Sequence, residues 1–374
     1  MNAMAHGIGL VPRGGNPSEL RHLNRKLILF MIATHGPISR VQLAEVGNLS
    51  RAAVSAVVGE LMAERLLLEV GQQASGSPGR RATLLALNPD AHLVLGVELG
   101  SPDFRGAVVR VTGEMLESSV QPVYQVRPGR ERLEAAYQFL ERMLGYARQK
   151  GLDVKGIGVS VPGVTDVRNG YVTEAPTHGW KGVPLGELVQ SRFNLPTVVE
   201  NDSNAGAAAE GWIGQARGQT DAVVLHVGSG IGAGLIIGGR LHRGAHNSAG
   251  EAGFLLVDTP QLPAGERSLS GFGFLEANLA ALLAEARADA VVELLGRALV
   301  NITALIDPGV IIFSGPHQET LRGLIPMLET YLRTHLVSPV PRVVCSTLGF
   351  WSSCIGAARL VHEEAYPGIT GWLG

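Results

Sequence analysis

Ser50, Arg51, Ala52 and Ser55 open the stretch "SRAAVSAVVGELMAERLLLEV", and their types suit contact with nucleic acid. Small and polar side chains at the start of a helix let its backbone approach the major groove of DNA, and an arginine there can pair with a guanine edge. Farther on, Arg80 and Arg81 sit in a Gly/Ser/Pro stretch, "GQQASGSPGRR". Guanidinium groups at the tip of such a loop can meet phosphates or enter the minor groove. The plainer reading is a solvated helical module that binds another protein.

The elements that must hold these residues are legible on either side. "SELRHLNRKLILFMIATHG" has a helical apolar period through Leu20, Leu23, Leu27, Ile28, Met31 and Ile32, and Gly36-Pro37 stops it. A short helix follows from Ser39, and Ser50 is placed to cap a third. "LLLEVGQQASGSPGRRATLLALNP" then reads as two strands and a loop. Three helices followed by such a hairpin predict a winged helix-turn-helix over residues 18–88, with residues 1–17 as a flexible arm.

Composition agrees with a small DNA-facing module on a larger body. The 374 residues are 45% hydrophobic and 17% charged with a net charge of −2, which excludes a wholly disordered chain and fits two or three domains. Residues 1–90 carry a net +3 and the remainder −5. Only Cys345 and Cys354 occur, too few for a disulfide framework. No apolar run approaches the roughly 18 residues of a membrane span, and the start lacks the apolar core of a signal peptide. A cytoplasmic location with no membrane partner is expected.

Beyond Asp90 strands alternate with helices, as in an α/β body. Four segments stand out: "GIGVSVPGVTD" from Gly156, "APTHGWKGVPL" from Ala175, "ENDSNAGAAAEGWIG" from Glu200, and "VGSGIGAGLIIGGRLHRGAHNSAGEAGF" from Val227. In this order, behind a winged helix, they resemble the ROK family of repressors, open reading frames and kinases. The resemblance implies a two-lobed, actin-like (ribonuclease H-like) ATPase fold with a sugar site in the cleft. Residues 91–199 would form the first lobe, with 355–374 returning to it, and 200–354 the second. In the regulatory branch it further implies operator DNA, a sugar or sugar-derivative effector, and a homodimer or homotetramer.

The resemblance also assigns residues. Asp202 falls at the kinase base, with Asn201 beside it, and Glu251 and Glu276 match acids that accept hydrogen bonds from sugar hydroxyls. Charged acceptors make the stronger bonds, so three acids suit a polyhydroxylated ligand. On plainer readings Asp202 caps the helix after it and Glu251 holds a loop. Thr177 stands where the family has a sugar-binding Asn, and Phe254 where it has a His. That His normally joins a cysteine run to hold zinc. Here the run is "ERSLSGFGFLEAN", without cysteine, so no metal is expected and His242, His246 and His317 read as surface or loop residues.

The nucleotide side departs further. The family's phosphate turn, Asp-x-Gly-Gly-Thr-Lys, aligns with Glu98 to Asp103, where Pro102 removes an N–H donor and Asp103 places an anion where a cation would help. Ser314 and Pro316 interrupt the far glycine run. "VGSGIGAG" survives, yet such a loop also serves as a tight strand connection. The expectation is a degenerate kinase without a cofactor and with no catalytic residue in use, acting as a sugar-responsive repressor. An active sugar kinase with an attached DNA-binding domain is the competing reading, and a body that answers to a protein partner is a third.

Overall fold

The computed structural model describes residues 16–72, 82–228, 230–257, 274–337 and 339–371. They divide into two compact units, one running up to His92 and resuming at His362, the other spanning Leu93–Val361.

The first unit begins with α1 (Pro17–His35), capped by the Asn16 side chain, which accepts from Ser18 N–H at 3.2 Å. Asn16 and Pro17 thus belong to a helix start rather than to the expected arm, because a side-chain acceptor and a first-position proline satisfy the orphan end of a helix. Ile28, Leu29, Met31 and Ile32 are buried, whereas Leu20 is exposed, so the predicted stripe enters the core only in its second half. After β1 (Ile38–Ser39) comes α2 (Arg40–Gly47), held by a capping box in which Ser39 and Gln42 exchange side-chain and backbone bonds. Next is α3 (Arg51–Ala63), which buries Val54, Val57, Val58 and Leu61. Strands β2 (Leu67–Gln72) and β3 (Thr83–Leu87) pair antiparallel, and β1 joins the free side of β3. The winged-helix pattern follows.

The C-terminal residues complete this unit. Gly368 N–H and the Thr370 hydroxyl each donate to the Glu363 carboxylate at 2.7 Å. A side chain on Gly368 would place its Cβ 2.4 Å from the Lys26 carbonyl oxygen, so only glycine lets the segment lie against α1. The expectation that residues 355–374 return to the first lobe therefore divides. Ile355, Ala358 and Val361 pack with Val94, Ala107 and Val109 of that lobe, and the chain from His362 onward packs with the N-terminal unit.

The second unit repeats one topology twice. Its first sheet comprises β4 (Leu93–Leu99), β5 (Asp103–Val109), β6 (Met115–Pro122), β7 (Val154–Val161), reached through α4 (Arg130–Gln149), and β11 (Thr197–Asn201). Between β7 and β11 lie the small sheet of β8 (Val164–Asp166), β9 (Tyr171–Ala175) and β10 (Trp180–Val183), then α5 (Leu185–Phe193). After α6 (Asp202–Ile213), the second large sheet collects β12 (Ala222–Val227), β13 (Ile231–Ile237) and β14 (Arg240–His242). Helices α7 (Phe274–Ala284) and α8 (Ala288–Ile306) precede β15 (Val310–Ser314); α9 (Gln318–Arg322) and α10 (Ile325–His335) precede β16 (Arg342–Cys345); α11 (Ser352–Ala365) follows. The orders β6-β5-β4-β7-β11 and β14-β13-β12-β15-β16 match strand for strand, each an antiparallel meander extended by two parallel strands. This doubling is the two-lobed actin-like fold.

Each sheet buries its own apolar layer: Phe139, Leu140 and Met143 of α4 against Leu95, Val97 and Phe104, and Leu294, Leu295 and Leu299 of α8 against Val223, Ile311 and Phe313. Side chains of this size contribute about 1.5–3 kcal/mol each when buried. Helices α6 and α11 meet through small residues. A Cβ on Gly356 would lie 1.6 Å from the Ala205 carbonyl oxygen, which sets how close the two backbones come. Among the described residues no helix is long and apolar enough to cross a membrane.

Candidate functional site

Strand ends build the site. The polypeptide leaves β4, β7, β11 and β12 of the second unit around a cavity of about 530 Å³, lined among others by Glu98, Pro162, Gly163, Asn201 and His226. Crevices beyond the carboxyl ends of parallel strands are where α/β folds hold ligands. Thr177, Asn201, Asp202, Glu251, Phe254 and Glu276, scattered over a hundred residues of sequence, all line this one cavity.

Their local settings differ. Asn201 caps α6: its side-chain oxygen accepts from Asn204 N–H at 3.0 Å, and its amide donates to the Gly163 carbonyl at 2.9 Å. Buried Glu200 steadies this turn, accepting from Asn201 N–H at 2.9 Å and from the Asn204 amide at 3.2 Å while pairing with Arg243 at 2.8 Å. The capping role considered for Asp202 thus belongs to Asn201, one residue earlier, and the Asn201 amide is engaged at both ends. Asp202 Oδ1 accepts from Ser203 N–H at 2.7 Å and from its hydroxyl at 3.2 Å; Oδ2 has no hydrogen bond among the described residues.

Glu251 is carried on a strapped loop. Gly250, at φ 91°, accepts from Ala233 N–H at 2.7 Å, and a Cβ there would lie 1.8 Å from the Ala233 carbonyl oxygen. The Glu251 carboxylate has no hydrogen bond among the described residues; burial first, then the charges of Asp202 and Glu276, push its pKa up. Glu276 accepts a long bond of 3.4 Å from Ile231 N–H and lies against Gly230 and Gly253, where a Cβ would come within 3.2 and 2.9 Å of its carboxylate. Burial raises its pKa also. Phe254 is 58% exposed, and Thr177 sits in the short turn Pro176–His178 with its hydroxyl 3.1 Å from His178 Nδ1. Burial, reinforced by the Arg132 guanidinium, lowers the His178 pKa to about 4.

On the phosphate side the structure corrects the sequence reading. Pro102 and Asp103 do not line the cavity; Glu98, Gly100, Ser101 and Arg105 do. Antiparallel register sets Arg105 of β5 directly opposite Glu98 of β4. Its guanidinium pairs with the buried Glu98 carboxylate at 3.0 Å, donates to the Phe350 carbonyl at 2.9 Å and rests 5.4 Å from the Phe350 ring. Arg105 was overlooked in the sequence. Its signal, an arginine inside the apolar strand "DFRGAVV", is one that alternation alone assigns to solvent. Of the two residues that interrupt the far glycine run, Pro316 lines the cavity, while Ser314 is buried and shares a hydrogen bond with Ser352.

Phe254 stands at the position the family resemblance gives to a zinc-binding histidine, and His242, His246 and His317 are exposed. Residues 258–273, which contain most of the altered cysteine run, lie outside the described residues. Among the described ones no group of three His, Cys, Asp or Glu could hold a metal.

In the first unit the Ser50 hydroxyl caps α3 by accepting from Ala53 N–H at 3.1 Å. Arg51, Ala52 and Ser55 are exposed on the first turns of that helix. Arg80 and Arg81 lie outside the described residues.

Residues 94–273 match the model of the ROK family. The chain carries a ROK family domain. A xylose repressor of Caldicellulosiruptor bescii is 34% identical over 244 residues, which is 65% of this chain and 61% of the repressor. This chain thus spans less than two thirds of that relative's length. The DNA-binding transcriptional dual regulator NagC of Escherichia coli is 28% identical, covering 95% of this chain and 96% of NagC. In fold, a crystal structure of a ROK family transcriptional regulator, a homologue of the E. coli Mlc protein, superposes with a TM-score of 0.78 at 24% identity, over 94% of this chain and 98% of that one. Both of these matches extend beyond residues 94–273 to nearly the whole of this chain.

Proposed function

We propose that this ROK protein is a sugar-responsive transcriptional repressor that binds operator DNA through α3 and the wing, and senses a sugar-like effector in the cavity of its second unit without phosphorylating it. The observation that carries the reading is the Glu98–Arg105 pair. At the position where the kinase pattern needs a free acid to position a metal, this chain has a buried carboxylate already neutralised by its own arginine. The sugar-side residues Asp202, Glu251 and Glu276 meanwhile share one cavity with carboxylate oxygens to offer. The names of the xylose repressor and of NagC support the regulatory role. Assembly as a homodimer or homotetramer in the cytoplasm accompanies this reading, and sedimentation of the pure protein tests the assembly.

The deciding experiment joins both activities. DNA from upstream of the protein's own gene and of neighbouring transport and catabolic operons is titrated with the full chain, with and without sugars, while the same preparation is assayed for ATP-dependent phosphorylation of them. Sequence-specific binding that a sugar alters, with no phosphoryl transfer, is expected. Turnover of any sugar with ATP would instead establish the kinase reading, which the free Asp202 oxygen favours.

A further inference from the structure

Among the described residues the cavity's charges are one-sided. Besides the Glu98–Arg105 pair, its lining holds the carboxylates of Glu174, Asp202, Glu251 and Glu276. None of these four has an ion-pair partner among the described residues. Among the described residues Arg105 is the one guanidinium in the lining, and Glu98 occupies it. Among the described residues His226 is the remaining basic side chain there. Two buried polar atoms in the same wall, Asn204 Oδ1 and His226 Nδ1, lack partners among the described residues. Asn204 Oδ1 is an acceptor, so it too calls for a donor.

Such a wall answers ligands by charge. A phosphate brings two negative charges and no donors against carboxylates screened by little water. A protonated amine supplies up to three donors and a charge that offsets theirs. Phe254 presents an exposed ring at the same cavity, a face on which both a sugar ring and a cation can rest. We infer that this cavity prefers an amine-bearing polyol, an amino sugar in its protonated form, over the neutral parent sugar, and rejects the phosphorylated one. The inference deepens the sugar-effector reading and rests on it.

Matched sets separate the two. Isothermal titration of the full chain at neutral pH uses three frames, glucose, galactose and mannose, each as the free sugar, the 2-amino-2-deoxy sugar and the 6-phosphate. In whichever frame binds, the amino sugar is expected to be roughly tenfold tighter than the parent and the 6-phosphate roughly a hundredfold weaker, of the order that one or two charge contacts supply. Glu251→Gln combined with Glu276→Gln should compress this ranking by about tenfold while keeping its frame. A 6-phosphate that binds as well as its parent, or an amino sugar that binds no better, overturns the charge inference and leaves the effector reading standing. No binding in any frame, with operator DNA still bound, overturns both. Should the double variant not fold, the ranking in the parent protein decides alone.

Discussion

At the scale of single residues, the cavity acids Glu251 and Glu276 sit where burial favours their protonated form. Burial and its two acidic neighbours raise the Glu251 pKa, so the native state holds that proton more tightly than the unfolded chain does. Its contribution is fully present below the unfolded value and fades as pH rises through the folded one. Glu251→Gln should therefore stabilise the ligand-free protein at pH 8 by about 1 kcal/mol and do little at pH 4, which denaturant unfolding at both values checks. The same change should weaken effector binding about tenfold or more, because a charge-assisted bond is lost. His178 carries the opposite sign. With its pKa lowered to about 4, the unfolded chain binds the proton first, so stability is full above about 6.5 and falls towards 4. Urea unfolding from pH 7 to pH 4 should show this loss, of the order of 3 kcal/mol, and His178→Gln should flatten it. Unchanged slopes would mean that His178 titrates as an exposed imidazole.

Paired elements set the next scale. The antiparallel register of β4 and β5 makes the Glu98–Arg105 pair, and breaking one side leaves a buried charge unanswered. Arg105→Ala should cost about 3–5 kcal/mol, while Glu98→Leu with Arg105→Met should cost much less. Equal losses in the two variants would show that packing rather than charge matters there. On α3 two neighbours should separate cleanly. Ser50→Ala removes a helix cap and should cost about 1 kcal/mol of stability. Arg51→Ala, at an exposed site, should leave the melting temperature unchanged yet cost roughly 1–3 kcal/mol of specific operator binding, read by fluorescence anisotropy.

For the whole molecule, the regulation proposed above is a coupling between two bound ligands. If the effector changes operator affinity by some factor, operator DNA must change effector affinity by the same one. Titrating each in the presence of the other checks this, and one-sided coupling would mean that the two bind separate populations of protein. What the sequence determined by itself is what is written locally: helix starts at Ser39 and Ser50, the apolar stripes, and glycine-rich turns whose order marks the ROK body. Short-range hydrogen bonds and periodic burial leave that trace in neighbouring residues. The tertiary structure alone decided what depends on register and distance. Arg105 meets Glu98 because two strands pair residue for residue, the Asn201 amide reaches the Gly163 carbonyl, and Gly368 comes to rest on α1 from the far end of the chain. Contacts between residues remote in sequence impose no period on either segment. They are fixed only when the packed sheets set which atoms lie within reach.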